Sequence, residues 1–184
     1  MTRAFDPDGA VEFDLPRGVV RGVDDRLLLV PSTILEEIAV TAGAEAAVTV
    51  ARAIGASCGQ RVAVRMGGVG AARAGSVEDV TAQLAGELAM SGLGVAHVER
   101  WGRAVVLVLG NTPVRDDGAV AALVEGALAA LVDRPVATLA LSRDAEGVRV
   151  LVASATAVLR VKGLMAGGAS WGDALGKLQS RGEA

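Results

Sequence analysis

Val95-Ala96-His97-Val98-Glu99-Arg100-Trp101-Gly102-Arg103-Ala104-Val105-Val106-Leu107-Val108-Leu109 reads as two strands about a turn at Trp101-Gly102. The second half is apolar throughout, which is the pattern of a central strand buried on both faces. Beyond a loop at Asn111, Pro113 and Asp116-Asp117-Gly118, Val120, Leu123, Val124, Ala127, Leu128 and Leu131 recur at helical spacing over 118–132. This is the longest unbroken stripe in the chain. It marks the central buried helix, and Gly126 within it admits a neighbouring backbone. Arg134-Pro135 stops the helix. Val136–Leu141 and Val148–Val152 then form a second hairpin about Asp144–Gly147. Hairpin, helix, hairpin argues for an α+β fold, an antiparallel sheet of about four strands covered by helices.

Upstream, Val11, Phe13 and Leu15 alternate with Glu12 and Asp14 as a short strand. Segments 19–23 and 26–30 flank a turn at Asp24-Asp25. Residues 1–9 are polar and expected to fray. Pro31-Ser32-Thr33 opens a helix, Thr33 and Glu36 having the spacing of a capping box. Leu35, Ile38, Ala39, Ala42, Ala46 and Val50 carry its stripe. Residues 60–67 suit either a strand or a short helix. Ser76 with Asp79 caps the next helix, with Val77, Val80, Leu84 and Leu88 on one face and Gly92 or Gly94 at its end. Helical segments at 154–165 and 170–180, the latter opened by Ser170 and Asp173, form a C-terminal tail. The organisation expected is an N-terminal extension over 1–25, one domain over 26–153 and the tail over 154–184.

The 184 residues are 52% hydrophobic and 21% charged, enough to bury a sizeable core. A net charge of −3 supplies no global field for nucleic acid or an anionic membrane. No stretch is long and apolar enough to span a bilayer, and Met1–Pro16 lacks the apolar segment of a signal peptide. With His97 and Cys58 the sole members of their types, a Cys/His zinc set and an internal disulfide are both excluded. The single thiol fits a reducing, cytoplasmic setting. No cofactor is expected. One His, one Cys and no Tyr offer no acid/base or nucleophile constellation, which places an enzyme third among the readings.

The order of these segments resembles the 4-vinyl reductase domain, which shares its fold with the core subunits of the TRAPP vesicle-tethering complex. The pieces that carry the likeness are Leu27–Pro31 before the first helix, Ile54-Gly55 with Gly59-Gln60-Arg61-Val62, Ser76–Val80, Ser91–Gly94, Asn111–Val114, Leu123–Leu128 and Arg149–Val152. The resemblance implies helix over 60–67 and a homodimer. Zinc-dependent bacterial members place cysteines before and within the last hairpin. This chain has none there, and it has Ala and Val where ligand-sensing members are bulky or aromatic. It therefore resembles a bacterial member without the metal.

The candidate site residues are Arg52, Arg61, Arg65, Arg73 and His97. The four arginines fall between Glu45 and Glu78 with no acid among them, whereas 1–37 is rich in Asp and Glu. Such a basic helical face binds a phosphate-bearing ligand or an acidic partner; alternatively it is a solvated face that pairs with the acidic N-terminal segment. On a helix, Arg61 and Arg65 are neighbours and need an anionic counterpart. His97 is read as a binding residue or as an ordinary strand position beside Glu99. Cys58 is read as a small buried residue. Gly67–Gly75 lacks the third glycine and the Lys-Ser/Thr of a phosphate loop, so it reads as an interhelical loop.

Two functions remain. The first is a non-catalytic dimeric scaffold of TRAPP-like fold that docks protein partners. The second is a module binding a hydrophobic molecule, lipid-like or tetrapyrrole-like, in an apolar cleft. Small core residues and the scarcity of polar groups to orient a ligand favour the first.

Overall fold

A computed structural model describes residues 5–23 and 25–179. The elements in chain order are β1 (Glu12–Asp14), a 3-10 turn (Leu15–Arg17), β2 (Val19–Arg21), β3 (Arg26–Leu27), α1 (Ile34–Ala42), α2 (Ala44–Arg65), α3 (Val69–Ala74), α4 (Val77–Met90), β4 (Val95–Trp101), β5 (Ala104–Gly110), α5 (Asp117–Val132), β6 (Ala137–Arg143), β7 (Val148–Ala153), α6 (Ala155–Ala166) and α7 (Trp171–Gln179). The fold is α+β, as the hairpin–helix–hairpin order requires. The main sheet is antiparallel in the order β4-β5-β7-β6, with the all-apolar β5 inside it. A small meander, β1-β2-β3, precedes it.

The sheet separates two apolar layers. Strand residues alternate faces, so Ala96, Leu107, Leu109, Val148 and Val150 join the core with α4 and α5. Val106, Leu141 and Leu151 face Val161, Ala174 and Leu175 of α6 and α7. The C-terminal helices therefore cover the second face of the sheet. Trp101 and Trp171 close that layer in an edge-to-face pair with ring centroids 4.7 Å apart.

Helix α5 lies between the sheet and α2, which explains its burial nearly all round. Three glycines set the α2–α5 distance. A methyl built on Gly126 would overlap the Arg52 carbonyl and lie 3.0 Å from the Ala56 amide. Methyls on Gly55 and Gly59 would overlap the carbonyls of Leu123 and Ala127. The two backbones touch because no Cβ stands between them.

Several boundaries differ from the sequence reading. The first helical stripe is broken at Gly43, whose φ of +92° ends α1 and starts α2. Residues 60–65 are helical, but as the last turns of the long α2 rather than a separate helix. Thr33 adopts helical angles (φ −67°, ψ −13°) and makes no side-chain cap, because the turn already begins at Pro31, whose carbonyl accepts from the Ile34 amide at 3.1 Å. Strand β3 stops at Leu27, leaving Leu28–Val30 exposed outside any strand. Of the polar N-terminus, residues 1–4 lie outside the described residues, Asp6–Gly9 are exposed, Phe5 lies over Arg65, and Ala10 is buried. Asp24 of the first turn and Ser180 at the end of the last helix lie outside the described residues. The caps at Ser76 and Ser170 form as expected, accepting from the amides of Asp79 at 3.0 Å and Asp173 at 3.1 Å.

Candidate functional site

The five candidate residues do not share a surface. Arg52 bridges α2 to α5 through Glu125 at 3.0 Å. Arg73 lies on α3 and binds the end of α5. Its Nε donates to the Val132 carbonyl at 2.5 Å and its Nη2 to the Asp133 carbonyl at 2.7 Å. These are last-turn carbonyls of a helix, where a cation also complements the dipole. His97 is exposed on the edge strand β4, opposite Val108.

Arg61 and Arg65 do lie one turn apart on one helix face, but the face points inward. Arg61 is 6% exposed, and Glu87 of α4 is fully buried. Arg61 Nε donates to Glu87 Oε1 at 2.7 Å and its Nη1 to Ser57 Oγ at 2.7 Å. Arg65 Nη2 pairs with Glu87 Oε2. The counter-charge is thus Glu87 rather than an acid of the N-terminal segment. The sequence contained a signal for it: Glu87 stands beside Leu84 and Leu88 on the apolar stripe of α4, where a charge is rare unless paired. Cys58 lies under the same cluster, with Arg61 Nη2 at 3.4 Å. Burial pushes its thiol above the ordinary range, while Arg61 pulls it back. Buried and held protonated, it makes a poor nucleophile.

A second polar cluster, not foreseen, lies on the α6–α7 face of the sheet. Arg149 pairs with Glu99 at 3.2 Å and with Asp144 and Glu146 of the final turn. Trp101 Nε1 donates to Glu99 Oε2 at 2.8 Å. That bond is the main cause holding the Glu99 carboxyl below the usual range, with Arg149 assisting. The Arg149 side chain is raised in turn by Glu99 and Glu146. Among the described residues, no three His, Cys, Asp or Glu side chains converge to hold a metal ion.

The concave feature best shaped for an apolar ligand lies between α4, the end of α5 and the sheet. It has a volume of about 240 Å³. Val80 and Leu84 form one wall, Leu128 and Val132 another, and Val98 and Leu107 the floor. Ala72 and Arg73 of α3 flank it. Its polar groups are occupied elsewhere: Thr81 Oγ1 donates to the Val77 carbonyl at 2.7 Å, and Arg73 is tied to α5. Nothing in it can attack, protonate or coordinate. What it can do is exclude water from an apolar molecule. Its walls are alternate residues of β4 and β5 and the Val80–Leu84 face of α4, elements legible in the sequence. That they leave a gap was not.

The fold and pocket define a class, an α+β domain with an apolar recess between its helices and one face of an antiparallel sheet. No family model matches the chain, and no curated protein matches it by sequence. Among solved structures it is similar to the phenol-responsive sensory domain of the transcription activator PoxR, whose crystal structure contains phenol. The likeness has a TM-score of 0.53 and 13% identity, and covers 78% of this chain and 84% of that one. Identity this low establishes a common fold. Among the described residues, no helix is long and apolar enough to cross a membrane.

Proposed function

We propose that the protein is a non-catalytic module that binds a compact apolar small molecule, within the 4-vinyl-reductase and TRAPP-like group whose segment order it resembles. The observation that carries this reading is the recess of about 240 Å³ walled by Val80, Leu84, Val98, Leu107 and Leu128. A dry engineered cavity of about 150 Å³ with comparable aliphatic walls accommodates benzene, so the space suits one small ring. It lies below the ~300–1,000 Å³ of drug-sized sites, which disfavours a tetrapyrrole or a long acyl chain. The neighbour of similar fold senses phenol, which belongs to the same size class. With few polar groups available, shape rather than hydrogen bonding orients the ligand.

The scaffold reading has its own observation. Leu28 and Leu29, in the segment before α1, and Val40, in the last turn of α1, are exposed, and exposed apolar side chains of this kind suit a protein partner, a second copy included. The two readings are compatible. Isothermal titration with phenol as probe tests the first: wild-type protein binds it, and Leu128→Phe, which fills the recess, abolishes binding while the fold is retained by circular dichroism. Equal binding by both proteins would place the ligand elsewhere. Native mass spectrometry of freshly purified protein reports dimer mass and any co-purifying molecule together.

A further inference from the structure

Residues 5–10 lie against α2 and α4 on the opposite side of α4 from the apolar recess. Phe5 stands over the Arg65 guanidinium, 5.0 Å from ring centroid to Cζ. It rests on Gly86, where a Cβ would come within 2.5 Å of the Phe5 Cβ. The surface of α4 is a seat for this ring only because residue 86 has no side chain. Asp6 and Asp8 line a pocket of about 380 Å³ with Arg65, Met66 and Gln83. Beneath, the guanidinium groups of Arg61 and Arg65 share the single carboxylate of Glu87. Arg65 Nε and Nη1 are buried and find no acceptor among the described residues. Buried donors without acceptors are uncommon in folded proteins and call for a specific reason.

We propose that this is a second binding site, for a small aromatic monocarboxylate, and that Phe5–Gly9 is its built-in competitor. The arm places an aryl ring on the guanidinium face, while the Asp6 carboxylate at the next residue accepts from the Asp8 amide at 3.0 Å and leaves the Arg65 Nε and Nη1 donors for a ligand carboxylate. A ring over a guanidinium is held by cation–π attraction, and a carboxylate near charged N–H donors makes the stronger class of hydrogen bond. Asp79, whose Oδ2 accepts from Ser76 Oγ at 2.8 Å, also lines the pocket and opposes ligands of higher negative charge. Ala10 is the buried anchor from which the arm can swing.

Benzoate is the probe, titrated calorimetrically into the full chain. Removing the competing ring raises the fraction of competent protein, so Phe5→Ala binds benzoate on the order of tenfold more tightly than wild type. The double variant Phe5→Ala/Gly86→Val fills the seat and loses that gain. Phenol, lacking the carboxylate, shows no such gain, and Leu128→Phe leaves benzoate binding unchanged, so this site and the apolar recess fail independently. In wild type, saturating benzoate speeds amide exchange in the 5–9 arm. The proposal is overturned if Phe5→Ala gains nothing or if the double variant keeps the gain. Should Phe5→Ala not fold, unchanged exchange of the arm in wild type overturns it.

Discussion

Arg61 and Glu87, 26 positions apart in the chain, form an ion pair with a 2.7 Å Nε–Oε1 bond and almost no contact with solvent. The pair pins α2 to α4. Arg65 adds a second positive charge to the same carboxylate, and Ser91 Oγ approaches Glu87 Oε1 at 3.3 Å. A buried carboxylate satisfied from three sides is costly to disturb, because the two arginines left behind are charged and largely out of water.

Glu87→Gln therefore destabilises by about 3–5 kcal/mol, since two arginines lose the carboxylate they share. The double variant Arg61→Gln/Arg65→Gln costs a similar amount. Urea unfolding at neutral pH measures both. A loss below about 1 kcal/mol, the level of surface ion pairs, would mean the cluster is open to water.

The glycine contact between α2 and α5 predicts opposite signs for one substitution at two sites. Gly126→Ala pushes a methyl into the Arg52 carbonyl and costs at least ~1–3 kcal/mol. Gly163→Ala, on α6 with nothing within 4 Å of the new methyl, gains about 0.4–1 kcal/mol through the unfolded state. Thermal melts of the two variants decide it.

Two leucines of α5 separate core from recess. Leu123 is fully buried, and Leu123→Ala costs about 2–5 kcal/mol. Leu128 is partly buried and borders the recess, so it already lacks neighbours on one side. Leu128→Ala costs less in denaturant titration and enlarges the space for a ligand. Equal losses would mean that the recess is closed in solution.

Glu99 and Asp144 give the acid limb of stability its sign. Both carboxyls are held below their ordinary range: Glu99 first by the Trp101 N–H, Asp144 first by the Glu146 backbone N–H. A depressed folded pKa contributes stability that is present above the unfolded pKa and lost as pH falls through the folded one. Stability therefore declines below about pH 4, where carboxylates of ordinary pKa have begun to protonate. Glu99→Gln shows a smaller drop between neutral and acidic urea titrations than wild type. An identical drop would remove Glu99 from the balance.

Much of the fold was legible because it depends on local pattern. The apolar run 104–109, the stripe of 118–132 and the second hairpin each specify an element, and their order leaves an antiparallel sheet with helices on it. Ser76 and Ser170 were readable as caps because a cap is satisfied within three residues. Thr33 failed for the converse reason: the same residue pattern is compatible with a helix that starts earlier, and backbone angles choose between them. The break at Gly43 was hidden because an apolar stripe on either side of a glycine has the same period whether or not the helix is continuous.

The basic residues show where sequence stops. Spacing alone put Arg61 and Arg65 on one face of a helix, and that is where they are. Whether the face met water or another helix depended on Glu87, which arrives from α4 only after the chain has turned through α3. The N-terminal acids looked like the nearest counter-charge in sequence, yet Phe5 rather than an aspartate lies over Arg65. The recess is likewise a property of the assembled layers, a shortfall of side-chain volume between α4, α5 and the sheet. Periodicity determines which residues face inward; only the tertiary structure decides whether the residues they face fill the space, because volume and charge are balanced across elements far apart in the chain.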